Sequence, residues 1–517
     1  MPGSLMQHLI LTLALFVFAC PGVQGAASPD AQADQTEQVR FVLLYTSDTH
    51  GHVLSDKDTI GLDLVAGAKK ALEPCVLMDA GDFSDGTPMS VLDQAESMVR
   101  LMKKTGYFAA AVGNHEFTYG RGVFDKRLAQ AQQEPGSMAL VSANTVKADG
   151  ALLVPAFART EVAGVSLCAF GLTTQDTKTQ ATPSAVADLD FLDPVAVSRD
   201  MVQSLRASGC DLVVALAHIG SGEYVALKST DIAEAAPGLD IIIDGHSHVE
   251  LEKRASTGTL VVSPGAHGKK LGRLDVVYDR AKGKIASLGN TLLAPQDMTA
   301  FTADAALTAE IAELDRTTEE TLSKPVGESL YELEGGKSAV RSGETNLGNL
   351  GADCLRAAHG TDLALLNGGN IRASVKAGRV TAKDILSVFP YTESIVSVKV
   401  TGAELLTMLE HGLAALPGED GRFPQVSGLI VHIQANAAKG QRVKELLLSD
   451  GNPVDKEKLY TLAVPSYLAE GGDGYTTLVG KKREKDFSSP QQALEQYLQL
   501  VGTKEYAPGQ PKRLLFE

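Results

Sequence analysis

At 517 residues, with 44% hydrophobic and 21% charged side chains, the chain is too long for one ordinary core and has a globular composition. A formal net charge of −16 argues against a nucleic-acid polymer as the natural partner, since a phosphate backbone demands a basic surface. A small phosphorylated ligand stays open, because one pocket can be locally positive on an acidic protein.

The first segment reads as a targeting signal. Residues 9–19 (LILTLALFVFA) form an apolar run too short to cross a bilayer, followed by small residues and the polar stretch SPDAQADQTEQ. Residues 1–27 are expected to be a signal peptide, with His8 but no Lys or Arg ahead of the apolar run, and residues 28–39 a polar linker. Val17-Phe18-Ala19-Cys20 has the form of a bacterial lipobox, so two fates stand. Lipid on Cys20 tethers the protein, or cleavage after Gly25 or Ala27 releases it. Either fate exports it, to the periplasm or, lipid-anchored, to the cell surface. No later run is apolar enough to span a membrane. Cys75, Cys168, Cys210 and Cys354 show no CxxC spacing and read as buried free thiols, not as metal ligands or a disulfide framework.

Residues 40–300 read as an α/β layered domain. The runs FVLLYT, CVLMDA, FAAAVG, LVVALA and LDIIID are apolar and bounded by Gly or polar residues, the pattern of parallel strands covered on both faces. Helical patterns alternate with them, at 93–104 and 194–208, while GRLDVVYDR at 272–280 looks like an antiparallel edge. After these runs come Asp48-Thr49-His50, Gly81-Asp82, Gly113-Asn114-His115-Glu116, His218 and Gly245-His246-Ser247-His248. Ligands of open parallel sheets bind beyond the carboxyl ends of the strands, so these side chains are expected to converge on one crevice. Residues 301–325 read as a connector helix, with Leu307, Ile311 and Leu314 at helical spacing and Pro325 closing it. Residues 326–517 form a second α/β region.

Asp, Asn and His together suit borderline divalent metals such as Zn²⁺ or Mn²⁺. Two ions are expected. Asp82 would bridge them; Asp48, His50 and His248 would complete one shell, and Asn114, His218 and His246 the other. His52 and His267 are expected to line the crevice or face solvent.

These motifs resemble the calcineurin-like metallophosphoesterases. From about residue 40 to the end, the chain resembles the two-domain 5′-nucleotidases, a family that includes UDP-sugar hydrolases and 2′,3′-cyclic nucleotide phosphodiesterases. The second half carries the motifs Asn346-Leu-Gly-Asn-Leu-Gly-Ala-Asp353, Asn367-Gly-Gly-Asn-Ile-Arg372 and Gly471-Gly-Asp473-Gly-Tyr475. The resemblance implies a four-layer α/β sandwich joined by a linker helix to a second, substrate-binding α/β domain. It implies phosphate contacts from Arg341, Asn367 and Arg372, a nucleobase stacked between Phe423 and Tyr467, and ribose hydroxyls on Asp473. Physics agrees with the residue types: Arg forks match phosphate oxygens, and aromatic faces stack on any base.

The implied activity is a 5′-nucleotidase, in which hydroxide held between the metals attacks phosphorus in line while Asn114 and His115 stabilise the phosphoryl oxygens and His115 assists the leaving group. Rival activities are phosphodiester, UDP-sugar or sulfur-ester hydrolysis, and metal-dependent nucleotide capture with little turnover. One departure bears on all of them. The family motif reads Gly-Asn-His-Glu-Phe-Asp, whose Asp orients the histidine, and here that position is Thr118. His115 is therefore expected to lack a carboxylate partner. Asn370, where Gly is common, is expected to narrow the phosphate turn.

Overall fold

The computed structural model describes residues 38–517 apart from 135, 182, 223–224, 391–392, 488 and 510–511. The expected signal peptide, Cys20 and nearly all of the linker lie outside those residues. No helix among the described residues is long and apolar enough to cross a membrane.

Two six-stranded sheets build the first half. In one, Gln38–Thr46, Cys75–Asp79, Tyr107–Ala111 and Ala139–Val141 run parallel in that order. Leu271–Asp279 joins antiparallel beside Gln38–Thr46, as its pattern predicts, but it is an interior strand; Lys284–Leu293 takes the edge. The other sheet centres on the parallel strands Val165–Thr173, Leu212–His218, Ile241–Asp244 and Leu260–Pro264. The sheets pack face to face through a core containing Leu43, Tyr45 and Met78 from one and Leu167, Val214 and Ile243 from the other.

Helices cover both outer faces and complete four layers. Glu96–Thr105 buries Met98, Val99, Leu101 and Met102, the apolar stripe of the helix expected at 93–104. On the far side Pro194–Ala207 begins with Pro, and the Asp193 side chain accepts the Val195 N–H, a start that suits a helix whose first N–H groups have no internal partner. With both faces covered, the central strands can be apolar throughout, which explains their uninterrupted runs.

Cys168 and Cys210 form a disulfide, with Cα atoms 5.9 Å apart, which corrects the expectation of free thiols. Leu167 pairs with Leu212 across parallel neighbouring strands, so residues distant in sequence become neighbours there. Cys75 and Cys354 are free.

The helix Ala305–Leu322 starts under an Asp304 cap and buries Leu307 and Ile311 in the core of the first half. Beyond it, a five-stranded sheet runs in the order Pro424–Ser427, Leu363–Asn367, Leu459–Pro465, Ile395–Thr401, Arg483–Phe487. Asn346–His359 covers one face of this sheet and Gly402–Gly412 the other. Leu363–Asn367 and Leu459–Pro465 are parallel, so Asn367 and Tyr467 emerge at the same end.

Candidate metal centre and substrate site

Each motif of the first half ends or follows a strand of the sandwich, and most of their loops turn sharply at the crevice. The backbone is left-handed at Asp48, His50, Asp82, His246 and His248, with φ between 47° and 77°. Such conformations are uncommon for residues with a side chain and collect at functional sites. Glycine before three of the motifs has a steric cause. A Cβ on Gly113 would stand 2.2 Å from Asp82 Oδ1, and one on Gly245 2.9 Å from Asp48 Oδ2. The small residue lets a carboxylate approach the backbone.

The side chains converge in overlapping groups. Asp82, His218 and His246 offer ligand atoms to one point, and His50, Asp82 and His115 to a second. Asp82 is common to both. Its Oδ2 lies 2.9 Å from His218 Nε2, which is 3.2 Å from Asn114 Oδ1. His50 Nε2 is 3.1 Å from His248 Nε2, and His248 Nε2 is 3.5 Å from Asp48 Oδ1.

His267 lines the crevice beside the proposed ligands. It shares the left-handed backbone, at φ 62°, and offers a ligand atom together with His50 and His248. The His52 ring centroid lies 4.8 Å from that of His267.

The donor set fits a cation. Asp48 Oδ1 accepts the His246 N–H at 2.9 Å, but Oδ2 is buried with no hydrogen-bond partner. A buried carboxylate oxygen left so is costly unless a positive charge meets it. Carbonyl oxygens of Asp85 and Ala80 lie 2.8 and 2.9 Å from Nδ1 of His50 and His218, respectively. An N–H donated there turns each Nε2 inward, where it can serve a metal once free of its own proton, the usual support of a metal-binding imidazole. Glu116 accepts the N–H groups of Gly113, Asp82 and Phe83, binding two of the loops together.

Electrostatics follows from burial and Asp82. Burial pushes the His50 and His246 imidazoles down to about 4, so both are neutral at neutral pH. Burial also opposes charge on His115 and His218, yet Asp82 and neighbouring carboxylates outweigh it and push them up to about 9 and about 10. Burial raises Asp48 to about 7. It works the same way on Asp82, but His218 and His115 hold that carboxyl well below its usual range.

The expectation that His115 lacks a carboxylate is overturned. Asp85 Oδ2 stands 3.0 Å from His115 Nδ1, supplied by the loop after Asp82.

In the second half, Asn367, Tyr467 and Asp473 come together. Asn367 Nδ2 donates to Asp473 Oδ2 at 2.8 Å, and the Tyr467 hydroxyl donates to Oδ1 at 3.0 Å. Tyr467 is 47% exposed, so part of its ring lies at the surface. Phe423 does not: it is 1% exposed and packs among Leu409, Leu413 and Val426, so the stack expected on it is corrected to a core role. Arg341 Nε is buried without a hydrogen-bond partner, and Arg372 Nη1 reaches the Gly369 carbonyl at 3.4 Å. Asn370 donates its amide to Glu393.

A cleft of about 1060 Å³ separates the halves, lined by His115, Thr118 and Tyr119 on one wall and Glu393, Ser466 and Arg483 on the other. None of Arg341, Asn367, Arg372, Phe423, Tyr467 and Asp473 lines it.

Comparisons with known proteins agree with both halves. Residues 41–250 match the calcineurin-like phosphoesterase family, and residues 325–480 match the 5′-nucleotidase C-terminal domain. A 5′-nucleotidase of Vibrio parahaemolyticus is 29% identical over 526 residues, spanning 91% of this chain and 90% of its own. The crystal structure of a 5′-nucleotidase precursor from Thermus thermophilus is 28% identical with a TM-score of 0.62, covering 92% of this chain and 99% of that one. A putative 5′-nucleotidase from Staphylococcus aureus shares the fold at 21% identity, with a TM-score of 0.73 over 93% of this chain and 99% of its own.

Proposed function

Because the chain belongs to the two-domain 5′-nucleotidase family and is a metal-dependent hydrolase, we propose that it releases phosphate from nucleoside 5′-monophosphates outside the cytoplasm. The observation that carries this reading is Asp82, the member common to two ligand groups, beside a buried Asp48 oxygen that has no partner. Asp48, His50, Asp82 and His248 would hold one divalent ion, and Asp82, Asn114, His218 and His246 the other. Bound there, the ions supply Lewis-acid charge stabilisation and acidify water.

The remaining steps belong to the chain. Arg341, Asn367 and Arg372 grip the phosphate, and Tyr467 stacks on the base. Asp473 accepts from ribose hydroxyls, since each carboxylate oxygen keeps lone pairs beyond its bond to Asn367 or Tyr467. The His115 Nε2 proton passes to the departing nucleoside oxygen, a contribution of roughly 10²–10⁴ in rate. The Cys168–Cys210 bridge supports an oxidising compartment, hence export.

The test is phosphate release by protein lacking residues 1–27, loaded with Mn²⁺ or Zn²⁺. AMP, UMP, UDP-glucose, 2′,3′-cyclic AMP and a non-nucleotide phosphomonoester form the panel, with His115→Ala as control. Release from AMP or UMP, lost in the control, is expected. A metal-replete protein that spares every nucleoside monophosphate overturns the reading.

A further inference from the structure

We infer that Asp85 is the positioning residue for His115, and that the orienting carboxylate of this chain has moved from the turn after His115 to the loop after Asp82. The inference rests on the reading of His115 as the proton donor. Its geometry stands alone.

The Asp85 side chain is 2% exposed and held by three donors. Its Oδ2 lies 3.0 Å from His115 Nδ1 and accepts from Thr118 Oγ1 at 3.3 Å; its Oδ1 accepts from the Tyr119 hydroxyl at 3.1 Å. The loop is tied to the histidine a second time, where Ser84 Oγ donates to the His115 carbonyl at 3.0 Å. With Nδ1–H donated to Asp85, Nε2 is the nitrogen left to serve the reaction. A buried carboxylate so held fixes both the tautomer and the plane of the ring.

The same contacts explain Thr118. Its hydroxyl stands 3.3 Å from both His115 Nδ1 and Asp85 Oδ2. An aspartate at 118 would set a second carboxylate against the buried one, and the two would contest one N–H. A hydroxyl can accept from the ring or donate to Asp85 without added charge. Position 118 is therefore free to be Thr because position 85 is Asp, and the two should behave as alternatives.

The experiment is a cycle on the metal-loaded full enzyme with AMP: Asp85→Asn, Thr118→Asp, the double variant, and Asp85→Asn in a His115→Ala background. Asp85→Asn is expected to lower kcat about 10- to 100-fold, part of what proton transfer supplies, with KM changed less than about 2-fold. Thr118→Asp alone is expected to lose activity. The double variant should exceed both singles, by about 10-fold over Asp85→Asn, since residues serving one group are strongly non-additive. In the His115→Ala background, Asp85→Asn should cost nothing further.

A general structural role for Asp85 would not be repaired from position 118. A double variant no better than either single therefore overturns the inference, even where Asp85→Asn alone melts early. If His115→Ala leaves AMP hydrolysis intact, the mechanism proposed above fails instead. If His115→Ala abolishes hydrolysis while Asp85→Asn is folded, metal-loaded and fully active, only this inference fails.

Discussion

Glu393 holds its proton to a higher pH than the unfolded chain would. Burial pushes its carboxyl up to about 7 from an ordinary value of 4.5; Asn370 donates to one oxygen and the other has no hydrogen-bond partner. A raised carboxyl pKa contributes stability that is whole below pH 4.5 and lost as pH rises through 7. Glu393→Gln should therefore raise Tm at pH 8 by about 2–4 °C, roughly the effect of 1 kcal/mol in a domain of this size. The difference should vanish at pH 4.5. A variant that melts lower at pH 8 would mean that the charged form is stabilised in the cleft. At this scale the proposed ligands were legible, because Asp, Asn and His each stood just after an apolar run. Asp85 was not. It meets His115 across thirty positions of sequence, and nothing in GDFSDG reports that contact. Phe423 failed for the opposite reason: a motif names a residue type, while burial depends on the helix packed against it.

Among elements, the Cys168–Cys210 bridge closes a segment with a sequence separation of 42, pinning Val165–Thr173 to the entry of Leu212–His218, the strand that ends in a proposed ligand. Cys168→Ala/Cys210→Ala should cost about 2–4 kcal/mol in denaturant unfolding, the usual effect of opening a loop of this length. Alkylation without reductant, after unfolding, should label Cys75 and Cys354 and spare the bridged pair. Labelling of all four would remove the bridge and the support it lends to export. The strands themselves were readable from composition, since cover on both faces leaves only apolar runs. Sheet order was not, because Lys284–Leu293 buries no residue fully and gives no signal that it, and not Leu271–Asp279, takes the edge.

For the whole molecule, the cleft sets a requirement. His115 faces Glu393, Ser466 and Arg483, while the arginines proposed to grip phosphate lie elsewhere on the second half. The proposed grip would then need the halves to rotate about the Ala305–Leu322 connector, whose first turns are anchored in the first core. Small-angle scattering with Mn²⁺ and a non-hydrolysable AMP analogue should show a change in radius of gyration that Arg372→Ala reduces. An unchanged profile would place the substrate in the cleft as it stands. Chelation is a second whole-molecule test. A cation bound only by the folded state at 100 times its dissociation constant adds about 2.7 kcal/mol, so EDTA should lower Tm by several degrees.

The left-handed turns of the crevice also bear on how such a centre changes over generations. Besides glycine, the residues that enter that backbone basin most readily are Asn, Asp and His. Those same three side chains supply every proposed ligand. A codon change that swaps one for another at Asp48, His50, Asp82, His246, His248 or His267 keeps the local backbone shape while exchanging an oxygen donor for a nitrogen, or a charged donor for a neutral one. Such an exchange would alter the metal preference of the proposed centre in a single step while leaving the loops unmoved.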